Sequence, residues 1–562
     1  MARSYSVAGG REAVPFVAPT VRRVLAAEIA AVATGLALLA ASVRPVWALL
    51  GAVVVALLPF VTVRRKPVFD WCRVWRRFLT NRSPEVGVTT EYTDTNGAPV
   101  GVHWHRNTVT CTLEISPPRH SSTVLGRSSA DTQYTLPVDA LASSMHQHDI
   151  EVCSIDVLAL GFRSESGSAA TQVYEELIGP LPAVALRRVW ISVTVDLRAN
   201  ARAIARRGHG RAGAARTAVV ATTRVRRALQ THGVSSRLST SSELHAAVAH
   251  LCRGVGISDL TQTWSAAPLP GVSSVGFGID CSAITAEEIA TLWATPSLGT
   301  GIAFHLEPGR ADGELRVRAS CRFAAREPVA KPRIRGVTSM GGSQRDGIFA
   351  QLPLAVPSLT SLSPTRTVET SVLDELRLPV SGCGQLLGSD AGGHGVAVRV
   401  FGSGVSRVRI AGELYLAQQI LFRAIAIGAR VVVRTDRPHA WRSLVDAINA
   451  PDRLSVHTDA TPPRGSFDVI LDDFAHGSMP LEPQRGSGVT RMSLAEHEPG
   501  SDRSERGRQR QEADLSIVQP HASGDRIQVR SGPIDIELTL VTIPQETAFI
   551  GRPRSLRPAV RA

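Results

Sequence analysis

Two apolar runs stand back to back near the start of the chain, Val24 to Val43 and Val46 to Val63, separated by the short break around Ser42-Val-Arg-Pro-Val46. The first carries one charge, Glu28, and the second carries none. A helix rises ~1.5 Å per residue and the hydrocarbon core of a bilayer is ~30 Å thick, so this pattern predicts a transmembrane helical hairpin over 24–63. Small residues at four-residue spacing in the first run (Ala27, Ala31, Gly35; Ala30, Thr34) predict close packing against another helix. The leader 1–23 holds Arg3, Arg11, Arg22 and Arg23, the break between the runs offers only Arg44, and Arg64, Arg65, Lys66, Arg73, Arg76 and Arg77 follow. This bias predicts a multi-pass protein of the plasma membrane with both termini and the soluble domains in the cytoplasm. Glu28 is expected to snorkel toward Arg22 and Arg23. Phe69-Asp-Trp-Cys-Arg-Val-Trp-Arg-Arg-Phe78, within a juxtamembrane segment 64–82, mixes aromatics and arginines at helical spacing and predicts an interfacial helix on the bilayer.

Beyond the membrane segment the pattern alternates between periods of two and 3.6. Strand-like alternation at Val100 to Ile115, Val152 to Gly161 and Val189 to Leu197 is interleaved with helical patterns at Val138 to His148, from Ala199, from Ala214 to Thr231, from Ser241, and at Thr285 to Ala294. This predicts a first α/β cytosolic domain over 83–323. Residues 324–376, rich in Pro, Ser, Thr and Gly, are expected to be a linker. A second α/β unit over 377–482 reads as Rossmann-like: strands at Gly395 to Phe401, Arg407 to Ile410, Arg430 to Arg434, Leu454 to His457 and Phe467 to Leu471, with helices at Gly412 to Ile427 and Pro438 to Asn449. Residues 483–525 lack apolar period and are expected to be disordered. A β segment follows at 526–552 and a polar tail at 553–562.

The net charge of +13 changes this picture less than it first suggests. Only Lys66 and Lys331 are lysines, the other basic residues being arginine, which is the bias of a GC-rich genome. Basic runs lack interleaved aromatics and no nucleic-acid-binding module is present, so no nucleic-acid partner is expected. Seven scattered cysteines, an odd number with no C-x-x-C pair, argue against a disulfide framework and fit a reducing compartment.

Four groups of residues raise the question of chemistry. The glycine-rich stretch Gly382-Cys-Gly-Gln-Leu-Leu-Gly388, continuing to Gly395, could expose backbone N–H groups to a phosphate, but no Lys-Ser or Lys-Thr completes a P-loop, and structural turns are the reading. Phe467-Asp-Val-Ile-Leu-Asp-Asp473 resembles a Walker B strand whose Asp472 could bind Mg²⁺, but without a Walker A lysine there is no positioned triphosphate for it to serve. His103-Trp-His105 and His146-Gln-His148 are H-x-H pairs; on a strand the first would place both imidazoles on one face, yet surface histidines are the expectation. Asp390, Glu413, Asp436 and Asp472 show no spacing that selects an acid/base pair. No catalytic residue, cofactor or metal is assigned, and the chain is not expected to be an enzyme.

Several blocks nevertheless occur in a recognisable order. They are the N-terminal hairpin, Val189-Trp-Ile-Ser-Val-Thr-Val-Asp-Leu197 leading to Arg206-Arg-Gly-His-Gly210, Trp293-Ala-Thr-Pro296, Leu378 to Gly388, Gly412-Glu-Leu-Tyr-Leu-Ala-Gln-Gln419, and Ala429 to Pro438 with Trp441. In this order they resemble EccE, a membrane component of the type VII (ESX) secretion system of mycobacteria and related actinobacteria. The resemblance implies a noncatalytic structural subunit in a large hetero-oligomer with EccB-, EccC- and EccD-like membrane subunits, energy coming from the EccC-like ATPase. An alternative from the residues alone is a membrane-tethered enzyme of envelope metabolism using a nucleotide or nucleotide-sugar. It requires the 382–395 glycines and Asp472 to converge on one pocket.

Overall fold

The computed structural model describes residues 21–57, 62–63, 66–80, 85–165, 167–311, 313–356, 363–458, 466–474, 488–495, 513–521 and 524–551. Residues 1–20 of the expected leader, most of the 483–525 segment and the 553–562 tail lie outside them. The chain divides into a smaller unit, Met1–Pro84 with Gln262–Ser265 and Gly341–Ser343, and a larger unit made of the rest.

In the smaller unit both apolar runs become helices, α1 (Val21–Ala40) and α2 (Pro45–Leu57). They pack through small residues: a Cβ added at Gly35 would stand 3.5 Å from Ala52 Cβ, and one at Gly51 only 2.8 Å from Leu38 Cδ1. Ala27 and Ala48 are buried, and Ser42 turns the chain at a positive φ of 59°. The expected transmembrane hairpin is nonetheless overturned. Among the described residues no helix is long and apolar enough to cross a membrane. The first helix begins at Val21 and so takes in Arg22, Arg23 and Glu28, and the described part of the second, Pro45–Leu57, is 13 residues, ~20 Å against a core of ~30 Å. A third helix, α3 (Val68–Thr80), turns Trp71 and Phe78 toward Trp264, with ring centroids 6.1 Å and 5.3 Å apart. Val74 is buried, while Trp75 and Leu79 stay exposed.

The larger unit is dominated by two sheets, which corrects the expected succession of α/β domains. In the first sheet the principal strands are β1 (Val88–Thr93), β2 (Pro99–His105), β3 (Thr108–Ile115), β4 (Ile150–Phe162), β5 (Leu186–Asp196), β6 (Val272–Ile279), β7 (Gly299–Pro308) and β8 (Glu314–Ala325). They lie in the order β6-β8-β7-β4-β5-β3-β2-β1, and every pair is antiparallel. Helices do alternate with strands along the chain, as the periodicity indicates, but they lie against both faces of the sheet, several of them on the face that holds the larger core, instead of serving as crossovers between parallel neighbours. The β-branched alternation explains that face: Ile191, Val193, Val109, Leu113, Phe304, Val317 and Phe277 all enter one apolar core. Over it lies α5 (Gly210–Thr231), reached from α4 (Ala201–Arg206), with Ala218, Val225 and Leu229 facing inward. On the same unit α6 (Ser241–Leu251) opens with a capping box between Thr240 and Glu243.

The second sheet is mixed. Its strands are β9 (Gln385–Ser389), β10 (Gly395–Val398), β11 (Arg407–Ala411), β12 (Val431–Thr435), β13 (Leu454–His457), β14 (Val469–Asp473), β15 (Thr490–Ala495), β16 (Leu515–Val518), β17 (Arg526–Ser531) and β18 (Ile534–Leu540). The order β13-β12-β14-β15-β11-β16 is parallel, and β16-β17-β18-β9-β10 continues it antiparallel. What reads as a Rossmann-like unit is therefore one half of a mixed sheet, and two of its strands, β15 and β16, fall within the 483–525 span. Beyond β10 the sheet continues into Ser122–Leu125, so both sheets draw strands from the region before residue 150.

The glycines at 382 and 384 join the two sheets. Cys383 N–H donates to Val184 O at 2.8 Å and Gly384 N–H to Ala185 O at 3.0 Å. A Cβ at 382 would fall 2.3 Å from Ala185 O, and one at 384 would fall 2.2 Å from Val398 O at a φ of +80°, so only glycine fits at either position.

Helix α8 (Leu414–Ala426) is buried on every side, and inside it lies Arg423. Its guanidinium donates from Nε to Glu546 Oε1 at 2.7 Å and from Nη2 to Glu546 Oε2 at 2.8 Å. Nη1 donates to Leu386 O at 2.8 Å and Leu387 O at 3.1 Å. Glu546 lies in α9 (Pro544–Ile550) and also accepts from Gln419 Nε2 at 3.0 Å. Both charged side chains are 1% exposed. Removing one partner of such a pair strands the other without compensation, so Glu546→Gln is expected to destabilise the larger unit by ~3–5 kcal/mol, and the double change Arg423→Met with Glu546→Leu to recover much of that loss. Chemical denaturation of the three proteins checks this, the double change being required to be the more stable variant.

Candidate functional site

The residues singled out in the sequence are mostly engaged inside the protein. Asp473 closes β14 with its carboxylate buried, accepting from Thr435 Oγ1 at 2.9 Å, Trp441 Nε1 at 2.7 Å and Arg437 Nη2 at 2.5 Å. Asp472 accepts from Arg434 Nε at 2.6 Å. The acidic strand end is thus faced by two guanidiniums, and both Asp473 oxygens and Oδ1 of Asp472 are already hydrogen-bonded. The N-terminus of α8, where a phosphate would sit in a nucleotide fold, holds the Gln519 carboxamide instead: Oε1 accepts from Glu413 N–H at 3.1 Å and lies 2.8 Å from where a Cβ on Gly412 would be.

The remaining glycines of the 382–395 stretch belong to strand β9 and its hairpin. Asp390 accepts from Gly392 N–H and His394 N–H, both at 2.9 Å, and these bonds hold its carboxyl below the usual range. Between β9 and β14 stand five strands, about 29 Å of sheet at ~4.8 Å per strand. The glycine turn and Asp472 do not converge on one pocket. Asp436 lies in the loop after β12.

His103 and His105 do share a face of β2, both buried. His103 Nδ1 is 3.0 Å from Thr89 Oγ1, and burial pushes the imidazole down to about 4, leaving it neutral. His146 is on a short strand beside β4, paired with Glu151. Among the described residues no group of three or more His, Cys, Asp or Glu could hold a metal ion.

Two arrangements went unnoticed in the sequence. The first is a polar row across the first sheet, on the face opposite the aliphatic core. Thr112, Ser192, Asp156, His305 and Arg318 stand directly opposite one another on β3, β5, β4, β7 and β8. His305 is clasped between carboxylates, Nδ1 at 2.5 Å from Asp156 Oδ1 and Nε2 at 3.1 Å from Glu307 Oε1, and Arg318 Nη2 reaches Glu307 at 2.6 Å. Burial works against the imidazolium, but the two carboxylates outweigh it and raise His305 to about 9. The hydrogen bond from His305, with Arg318 nearby, lowers Glu307 to about 2. Most of these groups are answered by one another, Asp156 Oδ2 and Arg318 Nε being buried without a hydrogen-bond partner among the described residues, and the row acts as an internal clamp between strands.

The second arrangement is open. From 198 to 231, through α4 and α5, the chain carries nine arginines and not one acidic residue. Arg207 and Arg224 share Asp149, at 2.6 Å and 3.1 Å. Arg202, Arg206, Arg216 and Arg227 are exposed and take part in no ion pair among the described residues. Counting charges within elements, instead of over the whole chain, would have revealed this stretch.

This same region is where known proteins agree with the chain. A family model described as "Putative type VII ESX secretion system translocon, EccE" matches residues 183–295, from the start of β5 past α4, α5 and α6. Relatives extend the likeness beyond that segment. The chain is 30% identical over 230 residues to the ESX-1 secretion system protein EccE1 of Mycolicibacterium smegmatis, covering 38% of this chain and 46% of that protein. It is 25% identical over 299 residues to the ESX-5 secretion system protein EccE5 of Mycobacterium marinum, covering 50% and 70%. With the ESX-2 secretion system protein EccE2 of Mycobacterium tuberculosis it shares 23% over 376 residues, 62% of each chain. The chain is similar to EccE proteins of ESX type VII secretion systems. The chain spans about half the length of the M. smegmatis relative that it matches, and the family-model match covers β5 and the arginine-bearing helices.

Two outcomes test this reading of the site. Asp473→Asn keeps the shape but removes the charge facing Arg437, and is expected to lower stability by ~2–4 kcal/mol in thermal unfolding, while Mg²⁺ leaves the wild-type midpoint unmoved. The His305 clasp predicts a pH dependence of definite sign. Its folded value, about 9, lies above the ordinary 6.5, so its contribution is complete below 6.5 and is lost as pH rises through 9. The companion shift of Glu307 from 4.5 to about 2 acts oppositely, its contribution being lost as pH falls through 2. Denaturant unfolding of wild type and His305→Asn between these limits should show a difference on the order of 3 kcal/mol near neutral pH, shrinking toward the alkaline end.

Proposed function

We propose that this chain is a noncatalytic structural subunit of a type VII (ESX) protein secretion complex. It works on the cytoplasmic side of the plasma membrane beside EccB-, EccC- and EccD-like subunits. The observation that carries the reading is the EccE match over 183–295 on a fold whose suspected chemical groups are consumed internally. A Mg²⁺-binding acid already held by arginine, and a helix N-terminus already holding Gln519, serve architecture. Hydrolysis is left to an ATPase partner.

Surfaces support the same reading. In the smaller unit Leu25, Ile29, Leu36, Trp47, Leu50 and Val54 are exposed on two packed helices. Contiguous apolar exposure of this kind marks an interaction site. The seven cysteines are all free, four of them held well above their ordinary range by burial to about 11 or 12, as suits a reducing compartment.

The test is gentle detergent extraction from cells that express the complete system, followed by purification through a tag on this chain. One large assembly containing EccB-, EccC- and EccD-like subunits is expected. Elution as a stable lone monomer, with the other subunits assembled without it, would rule the proposal out.

A further inference from the structure

From the geometry of α4 and α5 we infer that the outer face of this helix pair is a docking surface for anionic lipid headgroups. Four features of that face lead there. Arg216 and Arg227 stand about three turns apart on α5 and so point the same way, and Arg202 and Arg206 follow one another by about one turn on α4. All four are exposed and none is in an ion pair among the described residues. The nearest carboxylate that binds this stretch, Asp149, is already shared by Arg207 and Arg224. Finally, none of the large exposed hydrophobic side chains of the protein lies on either helix.

The last feature decides between partners. A protein interface gains most of its affinity from a desolvated centre of aromatic or large apolar side chains, and here the exposed residues between the arginines are Gly208, His209, Gly210 and Ala212, while Val219 and Val225 are buried and Ile204 and Val220 half-buried. Single-stranded nucleic acid asks for stacking platforms, and exposed aromatics are equally missing from this face. An anionic bilayer needs neither. It offers a laterally continuous array of phosphates, and arginines spread along α5, about 24 Å from Arg211 to Arg227, meet it without converging on a pocket. This contact is peripheral and electrostatic and requires no element to enter the hydrocarbon. It does not depend on the secretion-complex reading, since the surface is complete within one chain.

The test is flotation of the purified full chain with vesicles of phosphatidylcholine alone and of phosphatidylcholine with phosphatidylglycerol. The apolar helices of the smaller unit set the level on neutral vesicles. Anionic vesicles should raise binding above that level in a salt-sensitive way, each arginine contributing roughly fivefold. The combined variant Arg202→Gln, Arg206→Gln, Arg216→Gln and Arg227→Gln should lose at least about tenfold of the anionic gain and keep the neutral level. A control variant neutralising Arg310, Arg326, Arg333 and Arg335, which are also exposed, should keep most of it. The inference is overturned if the helix variant floats with anionic vesicles like wild type. It is equally overturned if that variant loses RNA retention or a co-purifying subunit while vesicle binding is unchanged. Because no other subunit is present, failure here leaves the co-purification result untouched.

Discussion

The pair Arg423–Glu546 is the constraint on which the second half of the molecule rests. A helix as thoroughly buried as Leu414–Ala426 has no surface on which to place a guanidinium, so the charge must be answered within the core. Glu546 answers it with both oxygens, and the carbonyls of Leu386, Leu387 and Val541 take the remaining donors. Four pieces of chain far apart in sequence are thereby brought to one point: the helix after β11, the strand β9, the loop at Val541 and the final helix. The parallel and antiparallel halves of the mixed sheet meet across this contact, so neither half is an independent domain.

The first sheet solves a related problem differently. Its aliphatic face is an ordinary core, but the opposite face carries Thr, Ser, His, Asp and Arg in register across five strands. Unanswered, each of these groups would cost free energy when withdrawn from water. Thr112 Oγ1 stands 2.9 Å from Ser192 Oγ, Thr110 Oγ1 stands 3.0 Å from Thr194 Oγ1, and His305 bridges two acids. Polar groups matched across strands specify register strongly, because a slip of one residue would set them against the aliphatic core.

Much of the secondary structure was legible from pattern alone. The β-branched run at Val189 to Leu197, the capping residues Thr240 and Thr285 with Glu three positions on, and the long apolar helix after Ile410 all act locally, through χ1 restriction, side-chain capping and periodicity. The order of motifs was enough to suggest a resemblance to EccE, and similarity to EccE proteins is what the family model and the relatives support. The membrane hairpin was the main misreading. Counting apolar residues measures hydrophobicity but not where a helix starts, and the first helix begins early enough to take in Arg22 and Arg23, so that among the described residues no helix is long and apolar enough to cross a membrane.

By itself, then, the sequence determined what is local: where strands and helices form, which faces are apolar, that the 198–231 stretch is basic, and which family the chain resembles. Pairing partners were decided only by the tertiary structure. The same alternation of strand and helix is compatible with parallel crossovers or with an antiparallel sheet covered by helices, since the choice depends on contacts hundreds of residues apart. For the same reason Asp472 and Asp473 could be metal ligands or ion-pair partners until Arg434 and Arg437 were placed beside them, and Gly382 could cradle a phosphate or admit a neighbouring backbone. A charge declares its type in the sequence, but its function depends on what the fold sets within about 3 Å of it.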